Sequence, residues 1–401
     1  MKHLVIIGLV IPEPASTAAG HRMMQLIQLF SEANHKITFL TASNNIEFSE
    51  KIEIEKIEIN NESFNEKIKE LNPDVVLFDR YVTEEQFGWR VSENCPKALK
   101  IIDTEDLHFL REARRKAFVE KREVNNEDLV NDIFKREIAS ILRCDLSLII
   151  SEFEYDLLVN NFKINPNLLF YIPFLTESFE KNRTRFEDRT HFVSIGNFLH
   201  EPNWQTVLKL KQIWKSIKKK IPEAELHIYG AYMSQKVLEL HNAKDGFLVK
   251  GRADSVEEIF NQSKVLLAPI PFGAGLKGKL WESMKFGLPN VTSSIGAETM
   301  HKDLPWNGFI EDSDEVFVAK AVELYQNENI WNKAQENGYQ ILDSVFRKDL
   351  FADSFINKVS ELMENLDNHR TENYLGKILQ HHHLNSTKYM SRWIEEKNKK
   401  K

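Results

Sequence analysis

Along nearly the whole chain, short apolar runs alternate with stretches in which apolar residues return at helical spacing. A short apolar run bounded by turn residues reads as a buried strand. The pattern predicts strands at Leu4–Ile11, Ile37–Thr41, Val75–Asp79, Leu99–Asp103, Leu146–Ser151 and Phe170–Pro173, then at His191–Gly196, Glu225–Gly230, Phe247–Gly251, Val265–Ile270, Asn290–Ser293 and Gly308–Glu311. Strands alternating with helices imply an α/β fold of parallel sheets. Glu177–Thr190 (ESFEKNRTRFEDRT) is charged and has no apolar period, and a new apolar run starts at His191, so a domain break belongs there. The chain divides into halves at 1–176 and 190–345, a helix at Lys348–Asn365 (segment 346–366) with no strand of its own, and a polar tail, 367–401. The tail carries His381-His382-His383 and ends in Lys397-Asn398-Lys399-Lys400-Lys401. Adjacent histidines do not converge easily on one ion, so the tail reads as solvated, although Tyr389, Met390, Trp393 and Ile394 space like one face of a short helix that would dock.

At 401 residues the chain suits two domains, and 42% hydrophobic with 28% charged residues is ordinary for a globular protein. The net charge of −7 removes a general nucleic-acid footprint. Two cysteines, Cys95 and Cys144, make no disulfide framework, which fits a reducing cytoplasm. No run is long enough for a membrane-spanning helix. Met1–Ile11 imitates the core of a signal peptide, but Pro12 and Pro14 break it, and a helix at Gly20–Ala33 with a strand at Lys36–Ala42 completes a strand–helix–strand unit. A buried first strand is therefore expected.

Candidate chemistry concentrates in Val265–Glu298 (VLLAPIPFGAGLKGKLWESMKFGLPNVTSSIGAE), which reads strand, glycine-rich turn, helix, strand. Gly273, Gly275 and Gly278 allow backbone to approach a ligand, and a helix starting near Lys277 aims unsatisfied N–H groups at the turn. An anion, best a phosphate, fits there. Gly273-x-Gly275-x-x-Gly278 satisfies the dinucleotide fingerprint, with Glu298 at the expected distance, but it follows about the fourth strand of its domain rather than the first. A P-loop is excluded by Leu280, where a Ser or Thr must hold magnesium. Lys279 and Glu282 share one helix face, either as a surface ion pair or as a phosphate ligand beside a carboxylate that accepts from a sugar diol.

This stretch, with Gly287-Leu288-Pro289 and Gly296-Ala297-Glu298, resembles the donor site of glycosyltransferase family 4, retaining enzymes of GT-B fold. Ile195-Gly196-Asn197-Phe198 with His200-Glu201-Pro202-Asn203-Trp204 is similar to the opening of that family's second domain in its bacterial branch. Asp103–Arg111 (DTEDLHFLR) and Pro14–Arg22 (PASTAAGHR) resemble first-domain motifs. The resemblance spans roughly residues 1–365. It implies two Rossmann-like domains facing a cleft, a final helix crossing back to the first domain, a nucleotide-sugar donor held by the second domain, a glycan or lipid-linked acceptor held by the first, and no essential metal or other cofactor.

Residue by residue, the resemblance assigns Glu282 to the donor ribose, sets Arg252 where the nucleotide base is read (a plain surface arginine being the alternative), and places Gly20, Gly196, Asn197, Gly273, Gly275 and Leu276 around the donor. His108, Lys277 and Lys279 become the catalytic set; Asp103, Asp106 and Arg111 lie on the acceptor side. One departure stands out: the family's first motif glutamate falls at Ala274. Basic residues usual after the second domain's first strand are also replaced, by Asn197 and His200. Asp312-x-Asp314 is the one aspartate pair of metal-binding type, and its place before Val316–Tyr325 makes Asp314 a helix cap. Arg111, Arg114, Arg115, Lys116, Lys121 and Arg122 give a basic helix, either a solvated face or a contact with anionic membrane. The expected activity is retaining sugar transfer in bacterial surface polysaccharide or glycoconjugate synthesis. The alternatives are a nucleotide-sugar epimerase of the same fold and a non-catalytic binding subunit.

Overall fold

Leu4–Ile7 are wholly buried, as both faces of a central parallel strand must be when helices cover them. Leu4 and Ile6 enter one apolar cluster and Val5 and Ile7 another, so the first strand separates two core layers. The computed structural model describes residues 1–14, 17–44, 52–181 and 184–399, apart from the side chains of 382–385. The Pro14–Arg22 motif and the Glu177–Thr190 break each include two residues outside that description, as do the terminal lysine run and, for side chains, the histidine triplet.

The first domain's sheet contains β1 (His3–Gly8), β2 (Lys36–Thr41), β3 (Glu53–Lys56), β4 (Val75–Asp79), β5 (Leu99–Asp103), β6 (Leu146–Ile149) and β7 (Leu169–Tyr171), in the order β3-β2-β1-β4-β5-β6-β7. The second contains β8 (Thr190–Ile195), β9 (Leu226–Tyr229), β10 (Phe247–Gly251), β11 (Ser263–Ala268), β12 (Asn290–Thr292) and β13 (Gly308–Ile310), ordered β10-β9-β8-β11-β12-β13. Their ladders are parallel throughout. Both are doubly wound sheets of Rossmann type. Every predicted strand is present, and β3 was not predicted. Its sequence, EIEK, is an edge strand with no fully buried position, so it lacks the apolar run that marks the others.

The chain passes between the domains at two neighbouring points. Thr176 N–H donates to Phe346 O (2.6 Å) and Lys348 N–H to Thr176 O (2.9 Å), which ties the outgoing and returning segments side by side. The returning helix, Ala352–Glu364, places Phe355, Val359 and Leu362 in the first domain's core with Leu4, Ile6 and Phe30. The crossing helix therefore goes where it was expected to go.

The tail does not behave as a solvated segment. It forms helices at Leu366–Glu372 and Tyr374–Lys399, and the second packs on the helices Asp132–Arg143 and Arg80–Asn94. Arg370 donates to Asp145 Oδ1 (2.8 Å) and Oδ2 (2.7 Å) and to the carbonyls of Pro96 and Ala98, while Glu395 forms a buried ion pair with Arg90. Docking uses the polar side, Ser391 and Glu395, while Tyr389, Met390 and Trp393 are exposed. The apolar face expected to dock is turned outward, because the surface beneath offers Arg90, Asp145 and open carbonyls instead. Arg370→Ala is expected to lower stability by about 1–3 kcal/mol, since Asp145 would lose its charged partner; thermal unfolding measures it, and an unchanged midpoint would show the tail to be loosely held.

Candidate functional site

In the second sheet the order reverses between β8 and β11, and a crevice opens beyond the carboxyl ends of two such strands, where doubly wound folds bind ligands. Gly196 follows β8 and the Gly273–Gly278 turn follows β11, so the sequence motifs meet at this switch point. Ser194, Gly196, Asn203, Tyr229 and Lys279 line the crevice there. Gly275 has φ +61°, and a Cβ on it would lie 2.8 Å from the Asp106 Cβ of the first domain. A Cβ on Gly278 would lie 2.7 Å from Ala18 Cβ. The helices Gly278–Lys285 and Ala18–Glu32 thus begin against each other, and their positive ends converge on the cleft.

Two lysines and a carboxylate stand at this point. Lys277 Nζ donates to the carbonyls of Ala274 (3.1 Å) and Gly275 (2.6 Å), and Lys279 Nζ to Asn203 Oδ1 (2.8 Å). Burial pulls both lysines down to about 8, against the opposing pull of nearby carboxylates. Burial pushes the half-buried Glu282 up to about 7, while Lys285 and Lys279 favour its charge. No described residue donates a hydrogen bond to its carboxylate, so both oxygens keep their accepting capacity. The arrangement suits an anion beside a group bearing hydroxyls.

Across the cleft, Asp106 accepts from Arg111 Nη1 at 2.5 and 2.6 Å and lies 3.3 Å from His108 Nε2. Burial alone would raise the Asp106 carboxyl, but Arg111, His108 and His200 hold it down to about 2. Burial lowers His108 and His200 to about 4, so both rings are neutral near pH 7. His200 reaches this cluster from the second domain; it is charged in the acid range where Asp106 titrates, and near pH 7 it supplies no positive charge. Glu137, unremarked in the sequence, accepts from the N–H groups of His108 (3.2 Å) and Phe109 (3.0 Å) and fixes the start of the His108–Val119 helix.

Several expected site residues are spent elsewhere. Asp103 is fully buried and pairs with Arg22 Nε (2.9 and 3.0 Å), so it braces the first domain rather than facing an acceptor. The Gly20 N–H donates to Thr17 Oγ1, which caps the helix and uses up that donor. Asn197 holds the loop through Leu199 N–H and Asn203 Nδ2. Arg252 is exposed at the rim, close enough to Tyr232 for their charges to interact. Leu276 packs with Ile150 and Phe174 of the first domain, and Ala274 sits in that domain's apolar cluster with Leu107, Phe109 and Leu110. A glutamate at 274 would have to be buried among them. Asp314 is the first residue of its helix, which Ser313 precedes as N-cap, and it pairs with Lys209; Asp312 accepts from Ser294.

The basic helix is not an open cationic face. Arg111 pairs with Asp106, Arg115 with Glu112, and Lys116 and Arg122 with Asp128. Arg114 crosses the cleft, forms a two-pronged ion pair with Glu298 (2.7 and 2.9 Å) and donates to Gly273 O. Glu154 also crosses it, accepting from Gly275 N–H at 2.8 Å. Sequence offered no signal for Glu154, and Arg114 was hidden among like charges.

The family model described as "Glycosyl transferases group 1" matches residues 189–327. Residues 189–327 are a group 1 glycosyltransferase domain. Over about nine-tenths of its length the chain has the GT-B fold of glycosyltransferases, as three solved structures show. Sucrose-phosphate synthase from Thermosynechococcus elongatus superposes with a TM-score of 0.68 at 14% identity, over 91% of this chain and 100% of that one. The pneumococcal O-GlcNAc transferase GtfA, in complex with UDP and GlcNAc, gives 0.69 at 15% identity, over 90% and 99%. A variant of S. aureus TarM in complex with fondaparinux, α-GlcNAc-glycerol and UDP gives 0.69 at 10% identity, over 90% and 100%. No curated protein matches the chain in sequence. No helix among the described residues of this chain is long and apolar enough to cross a membrane.

Proposed function

We propose that the chain is a retaining glycosyltransferase of family 4 and bacterial type, moving a sugar from a nucleotide-sugar donor to a glycan or lipid-linked acceptor in surface polysaccharide or glycoconjugate synthesis. The observation that carries this is the meeting of Lys277, Lys279, the Gly278–Lys285 helix start and the open carboxylate of Glu282 at the switch point of a group 1 domain. Lysines and helix N–H groups suit a diphosphate, and Glu282 suits the two hydroxyls of a ribose. Facing them, Asp106, His108 and Arg111 offer polar contacts to the donor sugar or acceptor. Catalysis then rests on stabilising charge as it grows on the departing diphosphate, with the leaving phosphate taking the acceptor's proton. Lys277 and Lys279 supply that charge without a metal. A cytoplasmic site of action, against or near the membrane that carries a lipid-linked acceptor, fits this reading.

Glu282→Ala is expected to raise the KM for the nucleotide sugar by about tenfold or more, the worth of hydrogen bonds to a charged group, with a smaller change in kcat. Transfer is measured with a panel of nucleotide sugars and a mixed glycan acceptor. Interconversion of free nucleotide sugars without transfer would establish the epimerase instead, and diphosphate binding with no turnover of any donor would establish the binding subunit.

A further inference from the structure

Glu154, on the short helix Glu152–Asp156 of the first domain, is wholly buried. Its Oε1 accepts from Leu107 N–H (3.0 Å) in its own domain and from Gly275 N–H (2.8 Å) across the cleft. Its Oε2 is buried and has no hydrogen-bond partner among the described residues. The Gly275 amide belongs to the turn that carries Lys277 and leads into the Gly278–Lys285 helix. An N–H has one hydrogen to give, so Glu154 and a donor phosphate oxygen cannot both hold it.

We propose that Glu154 is a positioning residue for the donor turn: from the first domain it holds the Gly275 amide where a donor phosphate oxygen would sit, and it gives that amide up when a nucleotide diphosphate enters the cleft. This rests on the donor reading above. The same turn is tied a second time by Arg114, which donates to Gly273 O and pairs with Glu298, so the cleft is closed on its own charges. Glu154 is in effect an internal anion in the phosphate site. The charged groups facing it are Asp106 from the loop after β5, Lys277 from the turn, and Glu137 from the Asp132–Arg143 helix. Burial first, and then Asp106, push its carboxyl up to about 7, while the two N–H groups and Lys277 favour its charge. The competing anion therefore predominates at pH 8 and is progressively lost as pH falls through about 7.

The test measures dissociation constants of uridine, guanosine, adenosine and thymidine diphosphates for the full chain and for Glu154→Gln, at pH 8 and pH 6. Glu154→Gln is expected to bind the preferred diphosphate about tenfold tighter than wild type at pH 8, the scale of one lost charge-assisted contact. At pH 6 the ratio of the two constants should approach one, because the wild-type carboxyl is then protonated; taking the ratio cancels the diphosphate's own titration. Equal or weaker binding by the variant at pH 8, or a ratio that does not change with pH, overturns the proposal while leaving the donor reading in place. Failure of all four to bind either protein overturns both. Should Glu154→Gln not fold, Glu154→Asp, one methylene shorter and withdrawn from Gly275, is expected to give the same tightening at pH 8.

Discussion

Lys279→Ala is expected to slow sugar transfer by on the order of a hundredfold, the usual cost of removing one preorganised group that stabilises growing negative charge. Lys279 stands on the first turn of the Gly278–Lys285 helix, beside the open carboxylate of Glu282. Removing it deletes charge at a position outside the apolar core, and among the described residues its ammonium donates to Asn203 Oδ1 alone. The loss should therefore fall on kcat and kcat/KM together, with the thermal midpoint held or slightly raised.

The role proposed for this lysine implies a pH limb. Burial brings Lys279 down to about 8, so it is charged below that pH and neutral above it. In wild type kcat/KM should fall as pH rises through about 8, whereas kcat, which reports the donor complex, should hold to higher pH because bound diphosphate keeps the lysine protonated. Lys279→Arg, charged throughout, should flatten that limb. Stability runs the other way. Folding lowers this pKa, so the unfolded chain binds the extra proton between about 8 and the ordinary lysine value, and stability rises with pH across that window. A limb that survives in Lys279→Arg would assign it to another group, with Lys277 the first candidate.

The largest expected loss of stability comes from Asp103→Ala. Arg22 and Asp103 are 1% and 0% exposed, and the guanidinium also donates to Ile172 O at 2.7 Å. Deleting the carboxylate leaves a buried cation without its counter-charge, which costs about 3–5 kcal/mol. For a domain of this size that lowers the unfolding midpoint by on the order of 10 °C. The double replacement Arg22→Met with Asp103→Leu should recover much of it, since a buried ion pair is dispensable once both charges are gone. If the single variant unfolds like wild type, the pair does not brace the domain, and Asp103 returns as an acceptor-side candidate.

Asp103 also shows where sequence reading stops. Its motif was visible, and its strand ends where ligands bind, but nothing in the order of residues says that Arg22, 81 positions away, would claim it. The strands were legible because parallel sheets covered on both faces demand continuous apolar runs. β3 escaped because an edge strand does not. The glycine-rich turn, Lys277, Lys279 and Glu282 were legible because backbone approach and helix spacing leave local traces. Glu154, Glu137 and the Arg114–Glu298 pair were not, since each acts through a partner distant in sequence. The tail follows the same rule: its apolar spacing marks a helix, but which face docks depends on the polar surface of the first domain, where Arg90 and Asp145 meet Glu395 and Arg370.

The position of the Ala352–Glu364 helix sets an order of synthesis. The second domain is continuous in the chain, so its core can close as soon as its last strand and helices leave the ribosome. The first domain's sheet is made earlier, yet Phe355, Val359 and Leu362, which fill its core beside Leu4 and Phe30, arrive only afterwards. The earlier half must keep one apolar face uncovered while the later half folds, and it is that half, during translation, that depends most on protection from aggregation.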